Sequence, residues 1–217
     1  SKHEEHNPYI DKIRLGKKAK SGFPVLFKEE LESNKGRWKQ AKYKRLLLEI
    51  GCHQGKTLNE LASANPDSLC LGLDITYKRV FLSAKQAESK NLDNVRLALC
   101  KGQEIGNYFA SGELDGVLIF FPDPWSKKSS QAHNKLVDQK LCFTLYNLLS
   151  TKGFIWFKTD DKNYYDLVCH YMQHTGMQTC KNRCKISSRE YKSIFEQRFQ
   201  KQGLETYEIV WRKQADV

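Results

Sequence analysis

The residues best equipped for chemistry lie in 115–128, the run Asp-Gly-Val-Leu-Ile-Phe-Phe-Pro-Asp-Pro-Trp-Ser-Lys-Lys. Residues 117–121 are apolar, β-branched and aromatic, the length and content of a buried strand. Pro122 and Pro124 then remove backbone donors and forbid continuation as strand or helix. Asp123, between them, is a carboxylate held where a strand empties into a stiff loop. Ligands of open α/β sheets bind just outside such strand ends. Trp125 offers a flat π face beside the acid, and Lys127 and Lys128 add positive charge. An acid, a stacking ring and two cations within six residues suit a nucleobase carried on a phosphate backbone. A proline-stiffened turn with solvated charges is the plainer reading of the same residues.

A second constellation is Glu49-Ile-Gly-Cys-His-Gln-Gly55, at an expected strand-to-helix turn. Gly51 and Gly55 allow the backbone to approach a ligand closely, with a helix N-terminus facing it. The middle glycine of the dinucleotide fingerprint is absent, and His53 stands there. Asp74 ends the next strand, 23 residues beyond Gly51, where a carboxylate accepts from both hydroxyls of a ribose. The plainer readings are turn glycines and an N-cap aspartate. Glu49, one residue before the turn, is costly if buried without a partner. A sulfonium ligand with an attached amino group is a fitting partner, whereas a pyrophosphate is repelled; the site favours S-adenosylmethionine over a nicotinamide dinucleotide.

Lys158-Thr-Asp160 ends a further apolar run, a ligand position or a helix cap. Ser193-Ile-Phe-Glu196 reads as a capping box or as an RNA contact. His170 and His174 share a helical face, but Cys180 and Cys184 fall in an expected strand, where their sulfurs are too far apart. No metal centre is expected.

Strands and helices alternate to position these groups. Strands are expected over 46–51, 69–74, 95–100, 117–121, 154–158, 178–185 and 207–211, with helices over 56–65, 78–90, 135–149 and 163–174 and a short one over 103–109. That order gives an α/β, doubly wound, mostly parallel sheet. Residues 1–22 read as a mobile basic arm, and a short helix begins near Phe23 and stops at Gly36. The expected division is 1–35 as a basic, partly mobile N-terminal arm and short helix, and 36–217 as a single domain.

The net charge of +11 is localised. Residues 1–45 hold 13 Lys/Arg against 6 acids, 181–217 hold 9 against 5, and the middle balances 14 against 14. Localised positive charge attracts polyanions. Seven cysteines without a Cys-x-x-Cys pair point to a reducing, cytoplasmic setting rather than a disulfide framework. No apolar run has membrane-span length, so no membrane partner is expected; monomer and homodimer both stay open.

Taken together, these residues resemble the bacterial tRNA (guanine-N7)-methyltransferase family. The matches are Glu49-Ile-Gly-x-x-x-Gly55, Gly72-Leu-Asp74, Phe121-Pro-Asp-Pro-Trp-x-Lys127, Lys158-Thr-Asp160 and Ser193-x-Phe-Glu196 followed by Gly203, in order from about Gly36 to Trp211. Pro-Asp-Pro-Trp-x-Lys is the specific element; the glycine turn is generic. The resemblance implies a Rossmann-like seven-stranded sheet with its last strand antiparallel, S-adenosylmethionine as cofactor, and a guanine of the tRNA variable loop as target. It implies that Glu49, Gly51, Gly55, Asp74 and Asp123 hold the cofactor, with Asp123 catalytic. Trp125, Lys127, Lys128, Asp160, Ser193, Phe195 and Glu196 then hold the tRNA nucleotide.

Three positions depart from the family. His53 replaces a glycine, so the turn swings outward or the imidazole packs aside. Lys101 stands where an acid receives the adenine amino group, and since lysine accepts nothing, Gln103, Glu104 or a carbonyl must substitute. Ser129-Ser-Gln-Ala-His-Asn-Lys135 thins an Arg/His-rich stretch. His53 and Lys101 suit a second reading, a divergent RNA-binding relative with an altered target or lost cofactor binding.

Overall fold

The computed structural model describes residues 7–122, 136–180, 203 and 205–215. Six strands carry the site: β2 (Arg45–Ile50), β3 (Ser68–Asp74), β4 (Val95–Leu99), β5 (Leu114–Phe120), β6 (Leu149–Thr159) and β8 (Tyr207–Lys213). The edges are β1 (Val25–Leu26) and β7 (Met177–Thr179), and the sheet order is β1-β4-β3-β2-β5-β6-β8-β7. Strands β1 to β6 pair in parallel, while β8 runs antiparallel to both β6 and β7. The seven-stranded sheet expected from sequence is present, with two-residue β1 added at its edge.

Helices α3 (Lys56–Ala64), α4 (Tyr77–Ser89), α5 (Gln139–Leu148) and α6 (Lys162–Gln173), with a 3-10 helix (Gly102–Asn107), connect the strands. Side chains fill a core on each sheet face. One holds Leu48, Ile50, Leu73, Phe157 and Trp211, the other Leu47, Cys70, Leu118, Phe120 and Trp156. Strands covered on both sides read as unbroken apolar runs, which is why β2 is buried from Leu46 onward and Glu49 is its one buried charge.

The chain folds outward in both directions from β2, towards β3 on one side and β5 on the other. The C-terminal ends of β2, β3, β4 and β5 therefore open on one crevice, the ligand position of open α/β sheets.

The N-terminal segment differs from the expected mobile arm. α1 (Pro8–Ala19) starts at an Asn7 cap, whose side chain accepts from the Tyr9 N–H at 3.0 Å, with Pro8 in the first turn. Ile10 and Ile13 are buried, and the Tyr9 ring lies 5.9 Å from that of Phe81 in α4. The helix expected from Phe23 is split. Pro24 leads into β1, where the Leu97 N–H reaches the Pro24 carbonyl at 2.7 Å, and only α2 (Lys28–Asn34) is helical. Residues 8–34 are thus built onto the same sheet as the rest through the β1–β4 pair.

Candidate functional site: a cleft at the switch point

An open cleft lies over the strand ends, lined by Gly51, His53, Asp74, Arg79, Cys100 and Pro122 among others. Each residue arrives through a local rule. Gly51 (φ 78°) and Gly55 (φ 82°) carry the turn from β2 into α3 in the left-handed conformation. A Cβ built on Gly51 meets nothing within 4 Å, so the turn leaves its cleft side open. A Cβ on Gly55 comes within 2.9 Å of Ser83 Cβ, so glycine is needed there for α3 to approach α4.

His53 also takes a left-handed φ, 50°, at a cost of about 1–2 kcal/mol for an L-residue. The turn is held rather than swung outward: the His53 N–H donates to Asp74 Oδ2 at 3.1 Å and its carbonyl accepts from Ser83 Oγ at 2.9 Å. His53 is half-buried and lines the cleft, with both ring nitrogens buried.

Asp74 is buried at the end of β3. Its carboxylate accepts from the N–H groups of Ile75 (2.8 Å) and Thr76 (3.3 Å) as well as His53, and the Arg79 guanidinium stands 3.8 Å away. A carboxylate has about four acceptor sites, and these three N–H groups take three of them. The N-cap role goes to Thr76, which accepts from Arg79 N–H at 3.4 Å.

Glu49 is 3% exposed, on the sheet face shared with Leu118, beside Gly72 of β3. Among the described residues no donor meets its carboxylate. Burial, reinforced by the negative charge of Asp74, pushes its pKa up to about 8. At neutral pH this acid is protonated unless a cation arrives.

Gln103 is exposed in the 3-10 helix, and Cys100 and Gly102 make the wall there instead. Lys101 is exposed; Glu104 accepts its N–H at 3.3 Å and caps the helix. Asp160 is exposed after β6, because the cap of α6 is Asp161, which accepts from the Tyr164 N–H at 3.0 Å. Lys158 is buried, its ammonium 4.7 Å and 4.8 Å from the ring centroids of Phe120 and Trp156. Phe121 leaves β5 with φ 49°, a conformation rare for a bulky residue, and donates its N–H to the Lys158 carbonyl at 2.8 Å. Pro122 follows in the cleft wall.

Asp123, Trp125, Lys127, Lys128, Ser193, Phe195 and Glu196 lie outside the described residues. Of the other positions singled out in the sequence, Gly51 and Asp74 line the cleft together, Glu49 is not among its lining residues and sits on the sheet face of Leu118, Gly55 supports the turn, and Gln103 and Asp160 stand apart. Arg79 was not singled out by sequence. Its signal was a cation in the first turn of a helix five residues after the strand-end acid, against the helix dipole.

The α/β order, the crevice at the switch point and the glycine turn over a strand-end acid define a Rossmann-like fold of the methyltransferase type. Residues 43–209 match the family described as "Putative methyltransferase", and the chain belongs to that family. It is 31% identical over 150 residues to a tRNA (guanine-N(7)-)-methyltransferase of Geobacillus sp. (strain WCH70), covering 67% of each chain. It is 29% identical over 138 residues to a bifunctional glycosyltransferase/methyltransferase of Fusobacterium nucleatum, where the match covers 63% of this chain and only 21% of that protein. The fold is also that of the 16S rRNA methyltransferase KamB, with a TM-score of 0.59 over 83% of this chain and 93% of that one at 12% identity.

Proposed function

We propose that the protein transfers a methyl group from S-adenosylmethionine to N7 of a guanine in the tRNA variable loop. The observation that carries this reading is the cleft itself. The wall formed by Gly51, His53 and Asp74 is completed by Pro122, the residue immediately before the proposed catalytic Asp123. The residues fit the cofactor: a buried carboxylate without a donor, a turn with open space above it, and a strand-end acid in the cleft wall.

S-adenosylmethionine supplies a methyl group activated by a sulfonium charge. Glu49, ionised by a neighbouring cation, pairs with the methionyl end of the ligand. Asp74 accepts from the ribose, and the Gly51–Gly55 turn approaches the ligand through its backbone. Guanine N7 carries a lone pair and no proton, so no general base is required. The chain's work is alignment, which supplies about 7–11 kcal/mol. Asp123 accepts from the guanine N1–H or amino group and stabilises the positive charge developing on the purine. Trp125 supports the extruded base, and Lys127, Lys128, Asp160 and the Ser193, Phe195, Glu196 segment hold its nucleotide.

A cytoplasmic setting agrees with the free cysteines, of which Cys70, Cys100 and Cys142 have thiol pKa values pushed up to about 12 by burial and are unreactive. Among the described residues no helix is long and apolar enough to cross a membrane.

The second reading, an RNA-binding relative without cofactor, is favoured by Lys101 in place of an acceptor and by the prior engagement of Asp74 with Arg79. Calorimetry with S-adenosylmethionine separates the two. Saturable one-site binding, followed by tRNA-dependent transfer of labelled methyl, supports the enzyme; absence of binding supports the relative.

A further inference from the structure

Cations normally gather at helix C-termini and acids at N-termini, matching the helix dipole. Beside the cleft this pattern is reversed. α3 begins with Lys56, and α4 carries Lys78 and Arg79 in its first turn; neither helix has an acid in its first turn or a base in its last. Lys101 adds a cation at the end of β4, the strand next to β3. The patch continues onto α1, whose Lys12 ammonium lies 5.8 Å from the Phe81 ring centroid and 4.8 Å from that of Tyr9. Phe81 is three residues from Lys78, so the two share a face of α4.

Lys12, Lys78 and Lys101 are exposed, and among the described residues none of them is in an ion pair. The acids nearby are already engaged. Asp11 stands 3.9 Å from Arg14, Glu104 accepts the Lys101 N–H, and Asp74 is buried against its own N–H donors. The balanced charge of the middle of the chain thus conceals a local excess on one side of the cleft.

We infer that this rim, running from Lys101 past Lys78 to Lys12, is a docking track for the phosphate backbone of the substrate RNA. It rests on the reading of the protein as a tRNA methyltransferase and adds a contact surface separate from the loop after Asp123. Point charges on three different elements suit a repeating polyanion rather than one small anion. The track offsets the thinned basic run of residues 129–135, because phosphates engaged at the rim still hold the target base over the cleft.

The test is the salt dependence of tRNA binding by the full chain, measured by filter retention with unmodified tRNA between about 50 and 300 mM salt. The Lys12→Gln, Lys78→Gln, Lys101→Gln triple variant is expected to weaken binding about tenfold or more. It also flattens the log–log slope by roughly 2–3, since each lost phosphate contact removes about 0.7–0.9. Its Tm stays at the wild-type value. A matched variant away from the cleft rim, towards the C-terminal end of α4 and in β6, Lys85→Gln, Lys90→Gln, Lys152→Gln, leaves the slope unchanged. An unaltered slope in the first variant, or an equal loss in the second, overturns the track. If the wild-type chain transfers no methyl to tRNA, the underlying reading fails instead, and the slope still reports on the track.

Discussion

Glu49 offers a perturbation whose size follows from its position. In the folded chain without ligand its pKa is pushed up to about 8, against 4.5 for the free side chain. Between those values the unfolded chain has released a proton that the folded chain keeps. Stability is therefore fully present below pH 4.5, falls as pH rises, and reaches its full loss above about 8. At about 1.36 kcal/mol for each pH unit, the whole interval is worth on the order of 5 kcal/mol. Glu49→Gln replaces the protonated acid by a neutral isostere that does not titrate. Relative to wild type it should gain about 2–3 kcal/mol between pH 6 and pH 8, seen as a Tm difference growing by roughly 5–10 °C. Urea denaturation of both proteins at the two pH values, without cofactor, measures this, and all other titrating groups cancel in the difference. With S-adenosylmethionine at 100 times its Kd the wild type should recover about 2.7 kcal/mol and the variant much less. A wild-type-to-variant difference that is the same at pH 6 and pH 8 would refute the reasoning, because it would mean the acid is not held protonated by burial.

Further expectations concern single groups. Asp123→Ala should lower methyl transfer by at least about a hundredfold, while calorimetry shows a smaller loss of cofactor affinity; full activity would remove the acid from the mechanism. Gly55→Ala places a methyl 2.9 Å from Ser83 Cβ at φ 82°, and should cost about 2 kcal/mol or more in urea denaturation. Asp74→Asn keeps the size of the side chain but removes charge facing Arg79 and three N–H donors. It should weaken cofactor binding at least about tenfold, and an unchanged Kd would place the ribose elsewhere. Calorimetry below pH 8 in buffers of different ionisation enthalpy should show close to one proton released per cofactor bound, as Glu49 ionises; none released would mean that its carboxyl does not meet the cation.

The central fold was legible because strands buried on both faces leave unbroken apolar runs. Val117-Leu-Ile-Phe-Phe shows this, and Leu46-Leu-Leu-Glu-Ile does so with Glu49 as its one interruption, separated by segments of helical period. α1 was not, although Asn7 and Pro8 form a cap and first turn. Only Ile10 and Ile13 mark its buried face, Leu15 is 65% exposed, and the partner surface around Phe81 lies far along the chain. β1 was missed for a similar reason, since two residues become a strand only against β4. At the cleft, the Gly51–Asp74 spacing was visible because both residues sit at strand ends fixed by local pattern. The contributions of Arg79, Cys100 and Leu136 depend on how neighbouring strands line up, which no local pattern encodes. His53 shows how a local rule can be overridden: the left-handed position that favours glycine is held by histidine because Asp74 and Ser83 bind its backbone.

The most direct measurement is nucleoside mass analysis of unmodified tRNA incubated with the purified chain and methyl-labelled S-adenosylmethionine. The account predicts labelled 7-methylguanosine, located in the variable loop and lost when that guanine is replaced by adenine. Label on another base, on another atom of guanine, or nowhere in the RNA would contradict it.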